Sequence, residues 1–296
     1  MQDLLVYIGQ MESYELGSET AAKLLDITVN DTLLYRLTDK IGQLSKTWLE
    51  EDDLREKMRT KEAEVVYAQM DGSMVLTRED SWKEIKLGRV FKSSNILEET
   101  DNRKCLKDSE YSAHLGSHWD FENKMSTIVD EYEYKNEKLV FIMDGAKWQW
   151  NWVEAEYPKA TQILDFYHAM DHIGSFFKLL GKTSDEISAI ANILKQEGIQ
   201  TVIKLITAED CSSQKKKAKQ ENLLNYIESN LGRMDYPSYI HRKLLIGSGA
   251  IESAHRTVLQ KRMKLSGQRW SQIGAQNMIN LRVVQPPIIQ TINYEG

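Results

Sequence analysis

The sequence predicts an α/β fold. A mixed five-stranded sheet carries an all-helical insertion ahead of its last helix, and a helical segment precedes it. Three observations lead there. Before Glu50, apolar residues recur at spacings of three and four. From Glu64 the period becomes two, and after Phe166 the pattern is helical again and free of strands. With 296 residues, 41% of them hydrophobic and 28% charged, the chain has the make-up of a globular protein with a sizeable core. No apolar run reaches the ~18 residues of a transmembrane helix. The N-terminus lacks the basic start, apolar stretch and cleavage site of a signal peptide. Cys105 and Cys211 lie far apart, which points to a reducing, cytoplasmic setting and excludes a disulfide scaffold or a cysteine zinc site.

Residues 1–60 read as helices. Ser18 caps an apolar stretch through Leu25, Ile27-Thr28-Val29-Asn30 breaks it, and Leu33, Leu34, Leu37 and Ile41 resume it. Helix, short turn, helix suits a DNA-reading unit and equally a plain helical hairpin. A charged bridge, Glu50 to Glu62, leads into the strands. Glu64–Met70 and Met74–Arg78 flank Asp71-Gly72-Ser73, Trp82–Phe91 alternates, and a third strand is expected around Tyr111–Leu115. Trp119–Tyr134 predicts a helix, Lys138–Met143 a strand buried on both faces, Ala146–Glu156 a helix and Thr161–Phe166 a strand. Ala169–Leu180, Ser184–Ile206 and Ser212–Leu231 predict helices, and so do Ile251–Leu265 and Ser271–Arg282, before Pro286-Pro287. The expected divisions are 1–60, 61–168, an insertion at 169–246 and a closing segment at 247–296. This order matches an RNase H-like sheet whose last helix is displaced by an insertion. In such a sheet, carboxylates near the C-terminal ends of the first and fourth strands converge.

Three carboxylates stand out: Asp71, Asp144 and Glu252. Each aspartate closes an apolar run and precedes glycine, and Glu252 opens a basic helix in Gly247-Ser248-Gly249-Ala250-Ile251-Glu252-Ser253-Ala254-His255-Arg256. Singly, each has a plain structural reading: a hairpin turn at Asp71, a helix cap at Asp144, a first-turn acid at Glu252. Jointly they predict a metal site, because three carboxylates brought together repel one another unless cations lie between them. Oxygen donors suit two Mg²⁺ or Mn²⁺ ions, the pair that cuts and joins phosphodiesters.

Net charge is -6, yet residues 212–296 hold 13 Lys/Arg against 5 Asp/Glu, or +8. That basic third suits phosphate contact, and Arg256, Lys261, Arg262, Lys264, Arg269 and Trp270 are its candidate DNA-binding residues. Lys215-Lys216-Lys217-Ala218-Lys219 reads as a solvated helix face. Trp148, Trp150 and Trp152 read as packing residues rather than base-stacking ones. In Asp165-Phe166-Tyr167-His168-Ala169-Met170-Asp171-His172, Ala169 stands where a zinc protease needs glutamate, so the histidines read as structural or phosphate-facing.

These blocks together resemble the DDE transposases of Kra-type insertion sequences. Met70-Asp71-Gly72-Ser73-Met74-Val75 with Arg78 and Trp82-Lys83-Glu84-Ile85-Lys86 is similar to their first catalytic block, and Asp144-Gly145-Ala146 with Trp148 and Trp150-Asn151 to the second. Pro158–His168 resembles the block that follows. The Glu252 block, with Gln260–Lys264 and Gly267-Gln268-Arg269-Trp270, resembles the glutamate block. The resemblance implies Mg²⁺-dependent cleavage and strand transfer at insertion-sequence ends, with Asp71, Asp144 and Glu252 catalytic and metal-binding and Asp165 and His168 supporting. It implies terminal inverted repeats and target DNA as partners, a homo-oligomer on DNA, and work at the bacterial nucleoid. About 60 residues precede the matching region, fewer than such enzymes carry. The expectation is therefore such a transposase or an N-terminally truncated copy of one, and a DNA-binding remnant without activity or another RNase H-like nuclease stands as the alternative.

Overall fold

Helical spacing and strand alternation both translate into structure, element by element. The computed structural model describes residues 1–50, 58–59, 64–100, 103–134, 138–284 and 290–293. Most of the expected Glu50–Glu62 bridge and Pro286-Pro287 lie outside them. Two compact units emerge: Met1–Lys138 with Gly249–Gly296, and Leu139–Ser248. The division falls before the strand that ends at Met143, not after Phe166 where composition changes. The structure is mixed α/β and includes a mixed five-stranded sheet.

The first unit begins with α1 (Gln2–Met11), α2 (Tyr14–Leu25) and α3 (Asp31–Glu50). Ser13 caps α2 by accepting from Leu16 N, and Asn30 Oδ1 accepts from Leu33 N at the start of α3. Leu5, Ala21 and Leu34 are buried among the three helices. The helix-turn-helix stretch is therefore packed into the unit, with α3 lying against α13 (Gln272–Val284).

β1 (Met58–Arg59) pairs in parallel with β7 (Tyr132–Glu133). β2 (Val66–Thr77) and β3 (Ser81–Lys92) form a long antiparallel hairpin, and β6 (Glu110–Leu115) adds to β3. The expected turn at Asp71-Gly72-Ser73 is absent. Asp71 lies mid-strand opposite Leu87, and the chain turns at Arg78–Asp80 instead. There Thr77 Oγ1 accepts from Asp80 N, and Ser81 adopts φ +60. At Gly72 the Glu84 side chain across the hairpin lies over the position a Cβ would take. The polar stretch after Ile96 gives a further hairpin, β4 (Ile96–Thr100) with β5 (Arg103–Leu106), flanked by β10 (Gln290–Asn293).

Helices cover both faces of these strands. α4 (His118–Asp130) sets Phe121 and Met125 against Gly88 of β3. On the other face, Val75, Ile85 and Leu87 pack with Ile251, Ala254, Val258 and Met278 from the C-terminal helices.

The second unit is self-contained in sequence. β8 (Leu139–Met143), every residue buried, leads through α5 (Lys147–Glu156) to a parallel partner, β9 (Thr161–Leu164). Then come α6 (Phe166–Leu179), α7 (Ser184–Gln196), α8 (Ile199–Ala208), α9 (Gln214–Asn230) and α10 (Tyr236–His241). The stretch expected as one helix over Ser184–Ile206 divides at Gly198, whose φ of +89 no α-helix accommodates. Tyr236 and Tyr239 hydroxyls donate to the carbonyls of Leu164 and Gln162, fastening α10 to β9.

Candidate functional site

Asp71 shares its face of β2 with Gln69 and Ser73, since alternate residues point the same way. Its side chain is 39% exposed, and Oδ1 accepts from Gly72 N at 2.6 Å. Over this face runs α11 (Gly249–Ala254), whose exposed first-turn acid is Glu252. The helix is gripped through a single peptide group. Gln69 Oε1 accepts from Ile251 N at 3.0 Å, and Arg89 Nη1 donates to Ala250 O at 2.7 Å. Gln69 and Arg89 are direct cross-strand partners, both buried. The hairpin thus fixes the Ala250–Ile251 peptide, one residue ahead of Glu252.

One helical turn on, His255 Nε2 stands 3.5 Å from Asp71 Oδ2. Two strand residues advance about 6.8 Å and four helical ones about 6 Å, so Ile251 above Gln69 places His255 beside Asp71. Burial pushes the His255 imidazole down to about 4. It is therefore neutral near pH 7, and its contact with Asp71 is not an ion pair.

From His255 to Gln260 the helix winds as a π turn, then closes with α12 (Lys261–Met263). Arg282 of α13 donates to Thr257 O, Val258 O and Gln10 O. Arg262 donates to Gly9 O at 3.0 Å and lies between the Tyr14 and Trp270 rings, 4.7 and 4.9 Å from their centroids. Gly9 and Gln10 are in the last turn of α1, where carbonyls lack helical partners and favour cations. Two buried arginines therefore tie α1 to the Glu252 helix.

This places the basic residues in two groups. Arg256, Lys261, Lys264 and Arg269 are exposed. Arg262 and Trp270, expected at DNA, are interior: Arg262 is fully buried, and Trp270 Nε1 donates to Met263 O while its backbone bonds Leu76 and Arg78. Buried groups with these partners have no face left for a phosphate.

In the second unit, Asp144 follows β8 and is half-buried. It is not the cap of α5: that residue is Ala146, whose N–H donates to Asp144 Oδ1 at 3.2 Å. Gly145 takes φ +102, and Leu164 and Asn230 lie beside it. Trp150 and Trp152 are buried as expected of packing residues, with Arg233 over the Trp150 ring at 4.5 Å. Asp165 is buried and structural: it caps α6 through His168 N and accepts from Ser248 N. His168 meets His172 edge-on, and His172 stacks on Tyr226 at 4.1 Å. Burial pushes the Tyr226 hydroxyl up, with the Asp144 and Asp165 charges adding to it.

Among the described residues, no three His, Cys, Asp or Glu form a group that could hold a metal ion, and no helix is long and apolar enough to cross a membrane. A family model spans residues 8–290 and so takes in the Asp71 strand, the Asp144 loop and the Glu252 helix together. The chain belongs to UPF0236, an uncharacterised protein family. No curated protein matches it. In this UPF0236 member, sequence reasoning missed Gln69, Arg89 and His255. A polar residue in each apolar run, Gln69 before Met70 and Arg89 before Val90, was the available signal.

Proposed function

We propose that this protein is a DDE-type transposase on an RNase H-like core, acting on insertion-sequence ends. The observation that carries the reading lies within the first unit. Asp71 sits on the strand face beneath the helix bearing Glu252, and exposed Arg256, Lys261 and Lys264 continue from that helix. The reading adds Asp144 from the second unit as the third acid.

The donors fit hard cations: Asp71 is partly open, Glu252 is exposed, and all are carboxylate oxygens. Asp71, Asp144 and Glu252 would hold two Mg²⁺ or Mn²⁺ ions, which when bound activate water or a 3′-hydroxyl and stabilise the leaving oxygen. The protein's own part is positioning. Gln69 and Arg89 hold the start of α11, and so set where Glu252 can reach. Arg256, Lys261, Lys264 and Arg269 hold the phosphodiester backbone. Asp165 keeps the approach to that helix in place through Ser248.

Full-length protein incubated with Mn²⁺ and DNA carrying the element's inverted repeats nicks at the repeat ends. Asp144→Asn lowers that rate at least about a thousandfold, roughly 4 kcal/mol of barrier. A variant that cuts like the wild type removes Asp144 from the chemistry. Binding without cutting by the wild type points instead to an inactive DNA-binding copy.

A further inference from the structure

Several surface lysines are answered by an acid: Lys23 by Glu19, Lys83 by Asp80, Lys182 by Glu186 and Glu209. Lys215, Lys216, Lys217 and Lys219 of α9 are not. No Asp or Glu occurs from Cys211 to Gln220, and among the described residues none of the four forms an ion pair. Lys219 stands four residues from Lys215 and three from Lys216, spacings at which like charges repel along a helix. All four lie in the first turns of α9, where the helix dipole disfavours cations. The charge therefore works against the helix that carries it. α9 turns Leu223, Ile227 and Asn230 inward. Counted back by the helical period, that stripe reaches Lys219 and Lys216, both half-buried, with exposed Lys215 and Lys217 on either side. At its far end the stripe meets the Asp144 loop: Asn230 Oδ1 is 3.7 Å from where a Cβ would stand on Gly145. Between the two ends, Tyr226 stacks on His172. Burial, then the His168 and Lys219 charges, hold His172 below the ordinary histidine value.

We propose that Lys215, Lys216, Lys217 and Lys219 form a second DNA-backbone contact, separate from Arg256, Lys261, Lys264 and Arg269, and hold the duplex that flanks the strand at Asp144. The proposal rests on reading this protein as one that acts on DNA. Charge selects the partner: four unanswered ammonium groups within about two helical turns face a polymer that carries one charge per ~1.7 Å of duplex axis. Lysines act as point charges, so the contact holds the backbone and reads no sequence. The length also suits. From Lys217 to Asn230 α9 rises about 20 Å, which is roughly six base pairs at ~3.4 Å each.

The test is fluorescence anisotropy of full-length protein on a random-sequence duplex of about 30 base pairs, in EDTA, from about 50 to 200 mM KCl. Each phosphate contact contributes about 0.9 to the slope of log affinity against log salt. Lys216→Gln combined with Lys219→Gln should make the slope shallower by about 1.8 and weaken binding at least about tenfold at the low-salt end. Its thermal melting should match or exceed that of wild type, because repulsion within α9 is relieved. Lys23→Gln combined with Lys182→Gln removes the same charge from paired sites and should keep the wild-type slope. A wild-type slope in the α9 pair overturns the proposal and leaves the transposase reading standing. Equal losses in both pairs overturn it too, since they mark a bulk-charge effect. If wild-type protein binds no duplex at all, the reading of the protein as acting on DNA falls first, and this proposal with it.

Discussion

The two units fasten their helices by opposite means. In the first, fully buried arginines reach across the chain to backbone carbonyls: Arg89 to Ala250, Arg262 to Gly9, Arg282 to Gln10, Thr257 and Val258. In the second, the helices are held by caps and neutral hydroxyls: the Asp165 cap, the Thr183–Glu186 capping box, and tyrosine hydroxyls on strand carbonyls. Its Arg233, mostly buried, pairs with half-exposed Glu154 and donates to Gln162 Oε1 and Ser229 O. A buried cation is tolerated only when every neighbour that satisfies it stays put. The first unit therefore gains a single rigid arrangement around Asp71 and Glu252, at the cost of tolerance to change.

Substituting the two kinds of arginine gives the largest contrast. Arg282→Ala strands three buried carbonyls and opens a cavity, and should cost about 3–5 kcal/mol. Arg233→Ala gives up a half-exposed ion pair, a ring contact and the bonds to Gln162 and Ser229, about 1–2 kcal/mol. Urea denaturation of both variants measures the difference, and equal losses would dissolve the comparison. Glycines give a smaller contrast. A Cβ at Gly42 would run into the Asn277 backbone, so Gly42→Ala should separate α3 from α13 and cost about 2–3 kcal/mol. Gly198→Ala meets only Pro237 at ordinary contact distance but keeps a φ of +89, costing about 1 kcal/mol.

The smallest effect is one of pH, and here the units should behave alike. His114 in the first and His172 in the second both titrate below the ordinary histidine value, chiefly through burial. Each folded form then binds fewer protons than the unfolded chain once pH falls below about 6.5. The stability they contribute is complete above that pH and is lost as pH falls through it. Urea midpoints at about pH 7.5 and 5.5 should lie closer together in His114→Gln and in His172→Gln than in the wild type.

Much of the fold was legible because it follows local periodicity. Leu139–Met143 is an unbroken apolar run and forms a strand with every residue buried. Trp82–Phe91 alternates and forms β3. What escaped depends on contacts between distant residues. Asp71-Gly72 looks like a turn in isolation, and only its pairing with Leu87 and Lys86 across the hairpin shows it to be mid-strand. Arg262 looks like one of a basic stripe with Lys261 and Lys264. The π turn before it changes the angle per residue, so counting faces by the α period misplaces it. The hairpin of Ile96–Thr100 and Arg103–Leu106 carries too little apolar alternation to declare itself.

The bonds from Arg262 to Gly9 and from Arg282 to Gln10 span 253 and 272 residues. During synthesis, then, α1 leaves the ribosome long before either guanidinium that will complete it. Leu139–Ser248 emerges whole in between and has all its own sequence at hand to fold. Closure of such distant contacts is slow. The nascent first unit therefore spends most of translation with its sheet uncovered by the Glu252 helix, and the contacts around Asp71 are assembled among the last parts of the protein.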